Sequence, residues 1–241
     1  MGGPLTGPRP AAGEPESTGP GPAGPGTALL PREFFADHAL QVAPRLLGCV
    51  LEHQTAEGLV AVELTEVEAY EGSVDPASHS YRGRTARNAV MFGPPGHAYV
   101  YFTYGMHFCA NLTCGPEGTA TAVLLRAGRI VEGAPLAAAR RLAGRPAARI
   151  PDRDLARGPG RLGQALGIDR AQNGADACDP GSPLRVRAAA RPATPAEISE
   201  GPRVGVSSAA DWPWRFWRTG DPTVSVYRRH VPRTRPKPVS P

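Results

Sequence analysis

Between residues 49 and 127, short apolar runs alternate with turn signals, and that punctuation leaves the chain few ways to fold. Residues 49–54 (Cys-Val-Leu-Glu-His-Gln) and 59–67 (Leu-Val-Ala-Val-Glu-Leu-Thr-Glu-Val) flank Glu57-Gly58. Two β-prone runs separated by so short a glycine-containing turn read as a hairpin. Residues 97–104 and 106–113, rich in Tyr, Phe and Val, are set around Gly105. Gly115-Pro116-Glu117-Gly118 is a further turn, and residues 119–127 make a strand that ends at Arg126. The first half of the domain is therefore expected to be mostly antiparallel sheet.

Caps and breakers place the rest. Asp37 could cap a helix running through Leu40, Val42, Leu46 and Leu47. Pro44 lacks the N–H that such a helix needs, so a kink or break is expected there, with Gly48 as the end. Glu132 to Leu142 reads as a helix. Gly158-Pro159 opens another through Leu162, Ala165 and Leu166, with proline where its missing N–H costs nothing. Residues 72–96, 144–157, 171–183 and 190–202 read as loops. Short strands are expected around Leu184–Val186, Arg203–Val206, Arg215–Arg218 and Val224–Tyr227. A loop as long as 72–96 in a compact domain is often functional.

At 241 residues the chain suits one domain with tails. Residues 1–26 are almost all Gly, Pro, Ala, Thr and Glu, cannot bury enough apolar surface to offset ordering, and read as a disordered tail. Residues 27–230 read as the domain and 231–241 as a basic, disordered tail. The net charge of +5 is unevenly placed: residues 1–125 carry 6 basic and 12 acidic groups, residues 126–241 carry 21 and 10. A basic half suits a polyanion such as nucleic acid, although arginines spread over a solvated surface give the same count.

Lys237 is the only lysine. An arginine suits bidentate phosphate contacts but makes no Schiff base, so amine-nucleophile chemistry has little to work with. Cys49, Cys109, Cys114 and Cys178 match no zinc spacing, and read as free thiols in a reducing compartment, Cys49 and Cys109 in the core. No metal or cofactor is expected. No apolar run is long enough to span a membrane and no secretory signal is evident, so the cytoplasm is the expected location. Phosphate-loop, dinucleotide and serine-elbow motifs are lacking.

Residues with chemical potential gather between Glu66 and Arg126. Glu66 and Glu68 alternate on a strand end and share a face, with Tyr70 beyond them. A carboxylate beside an aromatic pocket can deprotonate water or stabilise positive charge; the plainer reading is a pair of exposed acids, one bound to arginine. His79 stands in the loop, where structural hydrogen bonding is the commoner role. Tyr99 and Tyr101 share a strand face, and Tyr104 lies near its end; such rings pack against a core or stack on bases. Asn111, if buried, must be hydrogen-bonded and could read a base edge. Arg82, Arg84, Arg87 and Arg126 could meet phosphates.

Taken in order, these pieces resemble the alkyladenine DNA glycosylase family, the 3-methyladenine glycosylases of the human alkyladenine type. The matching pieces are Glu66–Tyr70, His79-Ser80, Arg87-Asn88, Met91-Phe92, Tyr99–Met106, Asn111, Val123–Ala127, Gly158-Pro159 with Leu162 and Gln164-Ala165-Leu166, Arg203–Val206 and Val224–Val226. The resemblance implies a single-domain α+β fold around a curved antiparallel sheet with flanking helices, related to the accessory C-terminal domain of formyltransferases. It implies a monofunctional enzyme, acting as a monomer, that flips alkylated or deaminated purines out of double-stranded DNA. By that likeness Glu68 is the general base, Arg126 holds the nucleotide backbone near the attacking water, and Tyr70, His79 and Tyr101 line the base pocket. Asn111 screens out normal guanine, and Tyr104 is the wedge left in the duplex. Arg84, Arg87, Met91 and Arg161 are assigned to the DNA backbone. Ala86 departs from the usual proline, and residues 171–202 match poorly and carry no site residue. A non-catalytic nucleic-acid-binding domain of the same fold is the other reading, and Glu68 discriminates between the two.

Overall fold

The computed structural model describes residues 28–103, 105–143 and 149–231. Its spine is β2 (Gly58–Glu71), fourteen residues long and several longer than the sequence suggests. The other strands are β1 (Val50–Thr55), β3 (Ala98–Thr103), β4 (His107–Cys114), β5 (Thr121–Glu132), β6 (Leu184–Arg187), β7 (Ile198–Gly201) and β8 (Arg215–Arg218). They form one open antiparallel sheet in the order β3-β4-β5-β2-β1-β6. One edge of β2 pairs with β5 from Ala61 to Glu71. The other pairs with β1 up to Glu63 and then with β8 at Glu66–Glu68. The sheet thus forks at β2, and the fork is where its two glutamates sit. With three α-helices, the domain is α+β.

The β2–β5 ladder slips at the fork. Leu64 faces Gly128, Glu66 faces Ala127 and Val67 faces Leu125, which leaves Thr65 and Arg126 outside one-to-one pairing. Bulges of this kind bend a strand and re-aim a side chain. Here the slip turns Arg126 toward Glu66 and Glu68.

Helix α1 (Ala39–Arg45) keeps Pro44 inside it. Seven residues are too few to hold a helix in water, so packing must hold this one. Val42, Leu46 and Leu47 are fully buried, each burial contributing about 1.5–3 kcal/mol, against about 3 kcal/mol for an interior proline. Asp37 does not cap the helix; it pairs with Arg45 at 2.7 Å. Glu71 instead accepts the Leu40 N–H at 2.8 Å and meets His38 at 3.1 Å, tying the helix start to the end of β2.

Helices α2 (Ala134–Arg141) and α3 (Pro159–Leu166) begin with proline in the first turn. Leu162 and Leu166 of α3 join Leu47, Leu64, Leu112 and Leu125 in one apolar core. Gly163 lets α3 lie directly on β4: a methyl there would meet the Phe108 carbonyl oxygen at 2.4 Å. Gly163→Ala should therefore destabilise the fold by about 1–3 kcal/mol through overpacking, read as a lowered urea midpoint. An unchanged midpoint would show that the helix can slide.

Two expected strands are absent. Arg203–Val206 and Val224–Tyr227 are loops: in each, one central N–H, that of Val204 or Ser225, turns toward a buried carboxylate rather than a neighbouring strand. Conversely, Ile198–Gly201, expected as loop, is β7, paired with β8. The segment 72–96 is a loop with short 3-10 turns at Gly72–Val74 and Ala89–Phe92. The expected tails, residues 1–26 and 231–241, lie outside the described residues apart from Val231.

Candidate active site

A cavity of about 510 Å3 opens at the fork. Its floor is Glu68 and Arg126, and Tyr70, His79, Tyr99 and Tyr101 form aromatic walls. The lip is built by Pro76–Ser78, by Pro159-Gly160 at the start of α3, and by Val204–Ser207. The loop that carries His79 is pinned by buried Asn88, whose Nδ2 donates to the carbonyls of His79 at 2.9 Å and Gly83 at 3.0 Å.

Glu68 is fully buried, and donors surround it. Oε2 accepts from the Tyr70 hydroxyl at 2.9 Å, and Oε1 accepts from the Val204 N–H at 2.7 Å. Arg126 Nη1 lies 3.1 Å from Oε1. Burial, and then Glu68 itself, hold the Tyr70 phenol well above its ordinary pKa, so it remains a donor to that carboxylate.

Behind Glu68 lies a second buried carboxylate. Glu66 accepts from Arg126 Nε at 2.8 Å, from Arg215 Nε at 2.7 Å, and from Ser225 N and Oγ at 2.6 and 2.8 Å. Burial alone would raise its pKa, but the Arg126 and Arg215 guanidiniums and the Ser225 N–H outweigh that and hold it below the usual carboxylate range. Two carboxylates and two guanidiniums thus make a buried array. In it Arg126 is shared by both acids and is only 5% exposed. Its guanidinium thus lies at the base of the cavity, bonded to both acids, and not on the outer surface.

The aromatic walls stand at stacking distances. His79 and Tyr101 are 4.6 Å apart, edge to face, and Tyr99 and Tyr101 are 5.7 Å apart. His79 Nδ1 and the Tyr99 hydroxyl are 3.0 Å apart. Burial, with Arg87 nearby, lowers the His79 pKa, so its ring is neutral at neutral pH. Asn111 is buried on the wall, its Nδ2 anchored at 2.9 Å to the Tyr99 carbonyl. Glu68, Tyr70, His79, Tyr101, Asn111 and Arg126 therefore converge on one cavity.

Other expected residues sit elsewhere. Arg84 and Arg87 are exposed on the loop beside the cavity, and Arg161 is exposed on α3. Met91 is only 4% exposed, packs with Tyr99, Ala120 and Ala122, and lines the cavity with its side chain. Tyr104 lies outside the described residues. Sequence reasoning gave no role to the Val204 N–H, Ser225 or Arg215. The first two lie in segments with family-like patterns, but a backbone donor leaves no side-chain signature. Among the described residues no group of three or more His, Cys, Asp or Glu could hold a metal.

Histidine burial has a pH consequence. His53, 2% exposed with Nδ1 2.8 Å from the Leu166 carbonyl, is also lowered by burial. Because the folded His53 pKa is lowered, the unfolded chain binds more protons there, so stability is lost as pH falls below the ordinary histidine value of about 6.5; His79 is solvent-exposed and adds little. The Glu66 contribution disappears only at more acid pH, because its folded value is itself depressed. Thermal melts should therefore show Tm falling between pH 7.5 and 5.5; a flat Tm would contradict the burial argument.

An aromatic-walled cavity above a buried, donor-held carboxylate has the features of an enzyme site within a single domain. The chain belongs to the methylpurine-DNA glycosylase family, whose model matches residues 33–222. It is thus a DNA glycosylase, a repair hydrolase for alkylated purines. A Streptomyces avermitilis protein named 3-methyladenine DNA glycosylase is 58% identical over 88% of this chain and 98% of its own. Relatives of the same name from Leifsonia xyli subsp. xyli and Mycobacterium tuberculosis are 55% and 50% identical. They cover 83% and 82% of this chain and 92% and 93% of their own lengths.

Proposed function

We propose that the protein is a monofunctional glycosylase that extrudes an alkylated or deaminated purine, 3-methyladenine among them, from double-stranded DNA and hydrolyses its N-glycosidic bond. The observation that carries this is Glu68: a fully buried carboxylate at the floor of an aromatic cavity, with three donors converging on it. A module that only binds has no need to bury a carboxylate there.

In this reading the flipped base slides between Tyr70, His79 and Tyr101. A purine alkylated at N3 or N7 is cationic, and aromatic faces attract such a ring. Water attacks C1′ on the side of Glu68, which takes its proton. The C1′–N bond breaks and its electron pair leaves with the base. A cationic base departs neutral; a neutral base such as hypoxanthine must gain a proton as it leaves. Arg126 keeps Glu68 in place and provides counter-charge near the water. Asn111, held by Tyr99, obstructs the exocyclic amine of normal guanine. Tyr104 fills the gap in the duplex, offsetting an extrusion cost of a few kcal/mol. Arg84, Arg87 and Arg161 meet phosphates. The enzyme works as a monomer, in the cytoplasm on the nucleoid.

No lysine occurs among the described residues, so water is the nucleophile and the strand stays intact. The test is excision from a panel of duplexes, each carrying one damaged purine. Free base should be released and breaks should appear only after alkali or heat; strand breaks without either would overturn the monofunctional reading.

A further inference from the structure

Arg203 is among the largest fully buried side chains, 1% exposed, and does not line the cavity. Its guanidinium lies 4.6 Å from the centroid of the Tyr70 ring and 5.0 Å from that of Trp214. Nη1 and Nη2 donate to the two oxygens of Asp75 at 2.5 and 2.8 Å, and Nη1 also donates to the Ala69 carbonyl at 3.0 Å. Nε has no partner among the described residues. Apolar side chains would fill such a space without the cost of a buried charge, so the cation calls for an explanation beyond packing. Tyr70 lines the cavity and Arg203 does not, so the guanidinium meets the Tyr70 ring without meeting a base held in the cavity.

We propose that Arg203 is a specificity-determining residue acting through Tyr70: a fixed cation behind the ring that lowers the pocket's preference for cationic purines relative to neutral ones. A cation is attracted to the negative face of an aromatic ring. With the guanidinium held on one face, π density is drawn toward it, and a second cation on the other face meets a depleted surface and a like charge. A neutral base stacked there loses neither. Asp75 does not cancel the effect at the ring. The carboxylate is held by the two Nη atoms, while the guanidinium carbon lies over the ring, 4.6 Å from its centroid. Asp75 also fixes the cation's position, through the bidentate pair and its own contacts with the N–H groups of Glu71 and Ala77 at 3.3 and 3.0 Å. The pocket then accepts both lesion types, instead of favouring only those whose charge already makes them good leaving groups.

This inference rests on the reading of Tyr70 as the ring on which the flipped base stacks. The test compares single-turnover excision of cationic 7-methylguanine and neutral hypoxanthine, each in the same duplex context, by the full chain. The wild type should excise both; excision of neither would overturn the functional reading itself. In R203M with D75N, which removes the ion pair as a unit, the 7-methylguanine to hypoxanthine rate ratio should rise about three- to tenfold. Arg203→Lys, which keeps the charge, should hold the ratio within about twofold of wild type. If the double variant does not fold, Arg203→Gln takes its place with the same expectation. Equal slowing of both lesions in every variant, or a shift in Arg203→Lys as large as in the neutral variants, would make Arg203 a structural residue only.

Discussion

Glu68→Gln should leave lesion binding intact and slow base release by roughly 10^2–10^4-fold, the range of a positioned general base. The substitution preserves shape and removes charge and basicity. It also creates a local conflict. Val204 N–H, the Tyr70 hydroxyl and Arg126 all donate toward Glu68, whereas a glutamine offers one acceptor oxygen and one donor nitrogen. One donor must then face an NH2 group, which costs about 1–3 kcal/mol of stability. Binding of a lesion duplex and single-turnover excision, measured on the same preparation, separate the two effects. Excision within tenfold of wild type would sink the assignment of Glu68 as the base, and with it the difference between this enzyme and a binding module of the same fold.

Arg126→Ala should cost more stability than any surface change. It strips two fully buried carboxylates of their shared cation, leaving Arg215, Ser225, the Tyr70 hydroxyl and the Val204 N–H to hold them. Removing one partner of a buried ion pair costs roughly 3–5 kcal/mol, mostly from the charge left behind. For a domain of this size that is a fall in Tm of about 10 °C. Loss of the Arg126 charge also raises the Glu66 pKa, so whatever stability that carboxylate contributes is lost at a higher pH than in wild type as the solution is acidified. Arg191→Ala is the control. Its contacts with Glu197 at 2.6 and 2.9 Å are as short, but both side chains are solvent-exposed, and water screens the pair. Melting curves decide: Arg126→Ala melting within 2 °C of Arg191→Ala would show that the buried array is not electrostatically coupled.

The site divides by how each residue is recruited. Tyr99 and Tyr101, two apart on β3, reach one face through the strand period alone, and so did the expectation of a shared wall. Pro159 at the start of α3 is local too. Val204 and Ser225 are different. Their residue types suit strands, and strands were expected, but β-propensity is weak wherever a backbone N–H has a better partner. Two carboxylates buried at the fork of β2 are such partners, and they are 136 and 159 residues distant along the chain. The inward side chain of Met91 is hidden for a similar reason: nothing local says that the 3-10 turn at Ala89–Phe92 points inward.

The antiparallel hairpins, the helix start at Pro159, the aromatic face of β3 and the alternation that puts Glu66 beside Glu68 were legible in the amino-acid sequence. These follow from periodicity and backbone stereochemistry, which act over a few residues. Only the tertiary structure decided that both glutamates are buried. The slip between β2 and β5 turns Arg126 onto them, the N–H groups of Val204 and Ser225 satisfy them, and Arg203 lies behind the Tyr70 ring. A charge can stay out of water only where donors from distant segments meet it, and that meeting is a property of the folded chain.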